Sequence, residues 1–482
     1  MSITNQTIGG IKWNGLGTVT TALLQILKLF IVARFVSKGD LGLLATAVTV
    51  FGLTEIFANM GIATGLIHKQ NITRQQYSSV FWLNLMLSGT IYAVLFAVSP
   101  LIAKYYHEPR LATIIPLISL QLIISSFGKM FFTFKSKDLD FKFISIVSIV
   151  GTAIGTVTTV VLAICNYGIY SIIYGTLLQC LIVQATYSIS GMRKYRILFH
   201  FRLSEIKDII KIGGFQLATQ VLDYIAAKAD ILLIGRFFGQ ETLGVYNLAK
   251  ELVLKVIQVI NPIVTSVATP AFAKFQDDKE RMRLSYRKVL RFLSFINIPI
   301  FIAFFVFAEP IILVAYGPEK MDCAWFLRVL SLWGIFQSVG NPASILMVSL
   351  GRTDLGFYWT LVRIIFTLAT TYVACLFSIE ILTYSQVVLA GLFLFAYWRM
   401  MVYKMIQLPL THYLLSFAFA VLAGAVAGAV SAVPAHFIES HYLQLPLLVL
   451  FGVIYLAVFF LFNRNFLKEI KSYITNRNNT TQ

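Results

Sequence analysis

Polar and charged side chains recur at helical spacing inside apolar stretches of this chain. The most regular series is Asn14, Thr18, Thr21, Gln25 and Lys28, with gaps of 4, 3, 4 and 3 residues. These gaps place all five side chains on one face of an α-helix. An ammonium group and an amide on such a face can bind an anion or hydroxyl groups. We therefore predict that Lys28 and Gln25 contact a ligand.

A related series lies 202 residues later, at Gln216, Gln220, Asp223, Ala227 and Asp230. Asp223 and Asp230 are seven residues apart and share one helical face. Two carboxylates in this arrangement suit binding of a proton or a cation better than covalent chemistry. We predict an ion-coupling role for both.

Two further apolar stretches carry polar faces. One has Glu55 and Asn59 one turn apart. The other has five polar residues with gaps of 4, 7, 3 and 4: Asn247, Glu251, Gln258, Asn261 and Thr265. Lipid cannot solvate such faces, so they must turn toward each other or toward water. We predict that Asn59 and Asn261 bind a ligand and that Glu55 is a third ion-coupling candidate.

The composition shows which elements must position these residues. The chain has 482 residues, of which 58% are hydrophobic and 12% charged, with a mean hydropathy of +0.79. A soluble domain is about half apolar and about a quarter charged. These values exclude a soluble enzyme, a disordered chain and a disulfide-stapled module. They indicate an all-α polytopic membrane protein.

Apolar runs of about 20 residues can each cross a bilayer as a helix. We find fourteen such spans, which start near residues 12, 41, 78, 111, 143, 169, 211, 243, 286, 323, 355, 384, 413 and 443. With the N-terminus in the cytoplasm, the inner segments hold 26 Lys and Arg residues and the outer segments hold 6. This bias predicts that both termini are cytoplasmic.

The charged residues inside the spans are unevenly distributed. We count eleven: Lys28, Glu55, Lys129, Asp223, Lys228, Asp230, Lys250, Glu251, Lys255, Arg328 and Arg363. Eight of them lie on spans 1, 2, 7 and 8, although each central charge costs roughly 2.5–3.5 kcal/mol. We infer a water-filled cavity lined by these four spans, and we add Lys250 and Arg363 to the ligand-binding candidates. Lys129 and Arg328 lie near span ends and are expected to snorkel to the membrane surface.

An internal repeat suggests how the spans are grouped. Arg34-Phe35 followed by Leu41-Gly42 recurs at Arg236-Phe237 followed by Leu243-Gly244, again with an offset of 202. Six spans separate the copies, so the two halves would have the same orientation in the membrane. We predict an N-terminal lobe at 1–202 and a C-terminal lobe at 203–410 that begins with a short interfacial helix at 203–214. Two more helices at 411–463 and a cytoplasmic tail at 464–482 would follow.

Sequence motifs for other chemistry are absent. The chain has no phosphate-binding GxxxxGK[ST] loop. Its six histidines are not at metal-ligand spacing, and its four cysteines form no CxxC pair. We therefore expect a protein that is not an enzyme and that needs neither a metal nor a cofactor.

Four stretches resemble a known family, the Wzx-type polysaccharide transporters of the multidrug/oligosaccharidyl-lipid/polysaccharide exporter superfamily. They are VARFVSKGDLGLLATA (32–47), ANMGIATGLIHK (58–69), KDLDFK with NYGIYSIIYG (137–142 and 166–175), and ADILLIGRFFGQETLGVYNLA (229–249). The resemblance covers most of residues 1–400. Lys28, Arg34, Arg236 and the polar faces match positions of the family.

The resemblance implies a flippase that moves a polyprenyl-pyrophosphate-linked oligosaccharide across the bacterial inner membrane by alternating access. Cavity cations would hold the pyrophosphate, amides would bind sugar hydroxyls, and H⁺ or Na⁺ would drive transport. The polysaccharide polymerase machinery is a further candidate partner. A multidrug exporter, a peptidoglycan-precursor flippase and an intramembrane polysaccharide polymerase remain as alternatives. The polymerase would need a large outer loop, whereas the outer connections near 308–322 and 434–442 are short.

Overall fold

The computed structural model describes residues 3–59, 66, 72–276, 278–340, 342–438 and 440–463. The first eight helices in this part of the chain are α1 (Ile3–Phe35), α2 (Lys38–Asn59), α3 (Arg74–Tyr106), α4 (Leu111–Lys137), α5 (Phe141–Ile164), α6 (Ile169–Lys194), α7 (Lys207–Phe237) and α8 (Gly239–Ala273). The next eight are α9 (Lys279–Val306), α10 (Ala308–Tyr316), α11 (Cys323–Gly340), α12 (Ala343–Ser349), α13 (Thr353–Cys375), α14 (Ile379–Tyr397), α15 (Leu410–His436) and α16 (Pro446–Phe462). A π-helical turn (Trp398–Tyr403) and a last α-helical turn (Lys404–Ile406) extend α14.

The all-α prediction is confirmed. A helix of at least 17 residues occupies each of the fourteen predicted span positions. Within the described residues, eleven helical segments are long and apolar enough to cross a membrane. The segments at α7 and α8, which carry many of the charges, are not among them, and α16 is shorter at 17 residues. A count of fourteen membrane spans therefore stays a prediction.

The connection between α6 and α7 differs from the predicted separate interfacial helix at 203–214. Residues Leu203–Ile206 form one 3₁₀ turn, and α7 then runs without interruption from Lys207. The predicted tail at 464–482 and most of the motif at 58–69 lie outside the described residues.

The chain forms two compact units, Met1–Asn247 with Thr360–Ile379, and Leu248–Trp359 with Glu380–Gln482. The boundaries fall within α8, within α13 and after the first residue of α14. The predicted lobe limits near 202 and 410 stay a prediction.

Small residues bring the helices of the first unit close together. A Cβ atom on Gly155 of α5 would meet the carbonyl oxygen of Gly175 on α6, and one on Gly175 would meet that of Gly155. Close backbone approach of this kind is a common way for membrane helices to pack. Ser145 of α5 also donates a hydrogen bond to the carbonyl of Trp13 on α1, at 2.8 Å. These contacts hold α1, α5 and α6 together.

The second unit packs α9 against α11 and α15, and α15 against α16. Gly424 and Gly428 of α15 lie against Ile302 of α9. Phe295 of α9 stacks with aromatic rings of α16, and its carbonyl accepts a hydrogen bond from the hydroxyl of Tyr455 at 2.9 Å. The hydroxyl of Tyr455 therefore has a hydrogen-bond partner inside the protein and needs none from outside.

The two copies of the internal repeat contact each other reciprocally. A Cβ on Gly42 of α2 would collide with the carbonyl oxygen of Gln240, and a Cβ on Gly244 of α8 would collide with that of Lys38. Lys38 and Gln240 are themselves related by the offset of the repeat. Each glycine thus packs against the repeat equivalent of the other's partner, as in a contact with two-fold symmetry. This contact supports the repeat predicted from the sequence.

We expect Gly42→Leu and Gly244→Leu each to destabilise the protein. A side chain at either position meets backbone atoms that have no free rotamer to adopt, and such overpacking typically costs about 1–3 kcal/mol. The measurement is the temperature at which the purified protein loses its monodisperse size-exclusion peak. Gly89→Leu is the control, because a Cβ at Gly89 meets nothing within 4 Å. Equal loss in Gly42→Leu and Gly89→Leu would contradict the close contact.

Candidate functional site

The polar face of α1 contains two kinds of side chain. The hydroxyls of Thr18 and Thr21 donate to carbonyls one turn earlier, those of Asn14 and Gly17, each at 2.8 Å. Their hydrogen atoms are therefore committed to the helix backbone. Gln25 and Lys28, one turn apart, are partly exposed and have further interactions within the protein. Of this face, Gln25 and Lys28 remain the candidates for ligand contact.

Glu55 of α2 lies in a polar cluster of the first unit. It interacts electrostatically with Lys129 of α4, with Cys180 of α6 and with Tyr224 of α7. The hydroxyl of Tyr224 also donates to the carbonyl of Thr49 at 3.0 Å, which ties α7 to α2. The sequence did not indicate that Lys129 lies within electrostatic reach of Glu55, because the two residues are far apart in the chain. The side chain of the neighbouring candidate, Asn59, lies outside the described residues.

Asp223 of α7 and Arg363 of α13 form one site. An Nη atom of Arg363 lies 2.6 Å from the Oδ1 of Asp223, and the hydroxyl of Thr360 donates to the same oxygen at 2.9 Å. The two charged side chains are 31% and 44% exposed for Arg363 and Asp223. The predicted anion-binding residue and the predicted ion-coupling residue are thus each other's counter-charge.

Asp230 is more deeply buried, at 5% exposure. Its Oδ2 accepts a hydrogen bond from the hydroxyl of Tyr246 on α8 at 2.5 Å, and its Oδ1 accepts one from the backbone N–H of Ile231 at 2.9 Å. Tyr246 is itself fully buried. Asp230 also has a further interaction within the protein. A buried carboxylate is a group that can exchange a proton or bind a cation.

Lys250 and Asn261 belong to the second unit and are buried, at 5% and 3% exposure. The ammonium of Lys250 lies 5.7 Å from the centre of the Trp333 ring, a cation–π distance. The Oδ1 of Asn261 accepts a hydrogen bond from the amide of Asn297 on α9 at 3.0 Å. Both side chains therefore have structural contacts in this conformation, which the sequence pattern did not reveal.

Arg328 and Arg236 have partners near helix ends. Arg328 of α11 binds Glu309 of α10 at 3.1 Å, so it is held by a carboxylate as well as lying at a span end. Arg236, in the second copy of the repeat, lies with its guanidinium 5.2 Å from the centre of the Tyr105 ring. Among the described residues, no group of three or more His, Cys, Asp or Glu side chains is placed to hold a metal ion.

Comparison with known proteins assigns the chain to a family. Residues 31–325 match the family model Polysacc_synt_3, described as "Polysaccharide biosynthesis protein". The chain belongs to this polysaccharide biosynthesis family. It is 28% identical over 357 residues to the lipopolysaccharide biosynthesis protein WzxC of Escherichia coli (strain K12), covering 74% of this chain and 73% of that protein. It is also 28% identical over 362 residues to the teichuronic acid biosynthesis protein TuaB of Bacillus subtilis (strain 168), covering 74% of each.

Solved structures of two transport proteins share the fold of this family member. An inward closed structure of the lipid II flippase MurJ superposes with a TM-score of 0.79 at 14% identity, covering 94% of this chain and 99% of that chain. An inward-facing multidrug resistance MATE transporter superposes with a TM-score of 0.61 at 14% identity, covering 85% and 95%. The family resemblance and the fold class predicted from sequence are confirmed. The protein is a multi-pass membrane protein, and one of its relatives is named as a succinoglycan biosynthesis transport protein.

We expect Asp223→Asn to lower thermal stability, because it leaves the partly exposed Arg363 guanidinium without a counter-charge on a helix that is long and apolar enough to cross a membrane. The double variant Asp223→Asn/Arg363→Gln should recover most of the loss, since neither charge then remains. Unfolding temperatures of the purified variants test this.

The matched control is the exposed pair Arg352–Asp354, whose Nε–Oδ1 distance is 2.9 Å. Asp354→Asn should leave the unfolding temperature unchanged, because exposed ion pairs contribute little. Additive losses in the Asp223/Arg363 double variant would show that the two residues do not act as a pair.

Proposed function

We propose that this protein is a flippase for a polyprenyl-pyrophosphate-linked oligosaccharide repeat unit in bacterial cell-surface polysaccharide biosynthesis. The family match over residues 31–325 carries the proposal. Relatives named for lipopolysaccharide, teichuronic acid, amylovoran and succinoglycan biosynthesis support it. These glycans differ, so a shared lipid-pyrophosphate carrier is the feature such relatives would recognise in common.

The membrane topology forms part of the proposal. The protein would lie in the inner membrane with both termini cytoplasmic, as the distribution of Lys and Arg predicts. Lobes at 1–202 and 203–410 would rock to expose a central cavity to each side in turn. The lipid tail would stay in the bilayer while the glycan and pyrophosphate cross in the cavity.

The chemistry of the candidate site suits an anionic headgroup. A pyrophosphate cannot enter a low-dielectric interior without counter-charges. Lys28 and Arg363, with Gln25 beside the lysine, would supply them, and Asn59 would bind sugar hydroxyls. Lys250 and Asn261 would join the ligand only in a conformation that exposes them, because both are buried here.

Coupling to H⁺ or Na⁺ would use the carboxylates Glu55, Asp223 and Asp230. Asp223 neutralises Arg363 at 2.6 Å, so a phosphate that binds Arg363 would compete with that carboxylate. A proton or cation on Asp223 would then offset its lost partner. The polymerase that uses the flipped product is a candidate partner.

Deletion of the gene separates the flippase from its rivals. Loss of a flippase should leave lipid-linked repeat units on the cytoplasmic face, whereas loss of a polymerase should leave unpolymerised units outside. Loss of a multidrug exporter should raise drug accumulation with normal surface polysaccharide, and loss of a peptidoglycan-precursor flippase should stop growth. Either of the last two outcomes, or units outside, would contradict the proposal.

Lys28→Ala should abolish rescue of surface polysaccharide in the deletion strain, because it removes a cation needed by the pyrophosphate. Surface polysaccharide is measured at matched expression of each variant. Lys104→Ala is the control, since Lys104 is an exposed cation near the end of α3. Full rescue by Lys28→Ala would remove this residue from the mechanism.

Asp230→Asn should remove the dependence of transport on an ion gradient. The amide oxygen can still accept the hydrogen bond from Tyr246, but the amide cannot exchange a proton. Transport of a fluorescent lipid-linked saccharide in proteoliposomes, with and without gradients, is the measurement. Tyr246→Phe is the control, because it removes the hydrogen bond and keeps the carboxylate. Gradient dependence equal to wild type in Asp230→Asn would exclude Asp230 as a coupling residue.

A further inference from the structure

The segment between α6 and α7, residues 195–206, is here called the strap. Its backbone is hydrogen-bonded to the first turns of α3. The carbonyl of Leu198 accepts from the indole N–H of Trp82 at 2.8 Å, and its N–H donates to the hydroxyl oxygen of Ser78 at 3.0 Å. The N–H of Arg202 donates to the hydroxyl oxygen of Ser79 at 3.1 Å. The strap is therefore held in one conformation along α3.

Further bonds fix both ends of the strap. The carbonyl of Arg196 accepts a hydrogen bond from the guanidinium of Arg74 at 2.7 Å. The carbonyl of Glu205 accepts one from the amide of Gln76 at 3.4 Å, and Ile206 is fully buried in the core. These contacts leave little freedom for the strap to rearrange when a partner arrives.

The position of the strap along α3 sets its depth in the membrane. With 33 residues, α3 is about 50 Å long, whereas the hydrocarbon core of a bilayer is about 30 Å thick. At least one end of α3 must therefore extend beyond the hydrocarbon, and we place its first turn, which contains Arg74, Gln75 and Gln76, in the headgroup region. The strap bonds to α3 between Arg74 and Trp82, a length of about 12 Å. The strap thus lies level with the headgroups and the edge of the hydrocarbon.

Every second residue of the strap from 199 to 203 is apolar and exposed. Phe199, Phe201 and Leu203 are 96%, 40% and 50% exposed. All three side chains are exposed, and Leu203 is the first residue of the 3₁₀ turn that leads into α7. The ring of Phe199 lies beside that of Trp82, with 4.9 Å between centres, so an aromatic pair faces outward at this level.

Exposed cations flank the apolar side chains. Arg193, Lys194, Arg196 and Arg202 are exposed, and Glu205 is the one acidic residue among positions 193–206. Lys194 is paired with Asp138 at 2.8 Å. Aromatic rings together with Lys and Arg are typical of segments that bind the membrane interface, and basic clusters there attract anionic lipids.

We propose that the strap binds anionic phospholipid. Phe199, Phe201 and Leu203 insert between acyl chains at the edge of the adjoining leaflet, and Arg193, Arg196 and Arg202 contact lipid phosphates. The pre-formed backbone makes this binding possible without ordering a loop. The strap would thereby anchor the connection between α6 and α7 to the membrane surface.

The depth of Phe199 gives the first test. The full chain, with its four cysteines replaced by serine, is placed at one copy per nanodisc of phosphatidylglycerol and phosphatidylcholine. A spin label is attached to Phe199→Cys or, as the matched control, to Ser204→Cys, which is also exposed. We expect the label at 199 to be reached more by oxygen and several-fold less by an aqueous nickel chelate than the label at 204. Equal access of the chelate to both labels would overturn the proposal.

Lipid preference gives the second test and needs no cysteine replacement. Phospholipid that co-purifies with the protein from membranes is measured by native mass spectrometry. Arg196→Gln/Arg202→Gln should lower the ratio of phosphatidylglycerol to zwitterionic lipid several-fold, whereas Lys104→Gln should not. An unchanged ratio in the double variant would overturn the proposal. So would shielding of residue 199 that appears in native membranes and not in single-copy nanodiscs, because a protein partner would then cover the strap.

Discussion

The structure depends on one constraint: a charge on a helix inside an apolar bundle must find its partner inside the protein. Asp223 of α7 meets this constraint by accepting from Arg363 and Thr360 on α13, at 2.6 and 2.9 Å. Asp230, two turns later on the same face, accepts from Tyr246 on α8 at 2.5 Å. The bonds of Asp223 connect residues 360–379 to the first compact unit, although this segment follows residue 247 by more than a hundred residues.

Properties that depend on neighbours in sequence were predictable. Hydropathy and spacing located a helix at every expected span, because the cost of an unsatisfied backbone in lipid leaves few alternatives. Spacing also placed Asp223 and Asp230 on one face. The partner of Asp223 was not predictable, since Arg363 lies many helical turns along the chain from this carboxylate. Asn261 is hydrogen-bonded to Asn297 on α9, and nothing in the local sequence distinguished it from an amide that faces a cavity.

The repeat shows the same division between local and long-range information. The offset of the repeat could be predicted from the sequence, because both copies preserve the same residues at the same gaps. The role of the two glycines could not be predicted, since a glycine in a membrane helix can mark a kink, a turn or a contact. The structure shows that Gly42 and Gly244 permit backbone approach on both sides of one helix crossing. A contact that needs two glycines at equivalent positions restricts both copies of the repeat to the same register.

The two copies of the repeat share their packing glycines but differ in the charges on their polar faces. Lys28 and Asp230 occupy equivalent positions in the two copies and carry opposite charges. The crossing at Gly42 and Gly244 requires identical chemistry in both copies, whereas the polar faces of α1 and α7 are free to differ. The lysine suits an anion such as a pyrophosphate, and the buried carboxylate suits a proton or a cation. A duplicated scaffold that keeps its packing and reverses one charge would provide one position for an anionic ligand and another for a coupling ion, as the proposed ion-driven transport requires.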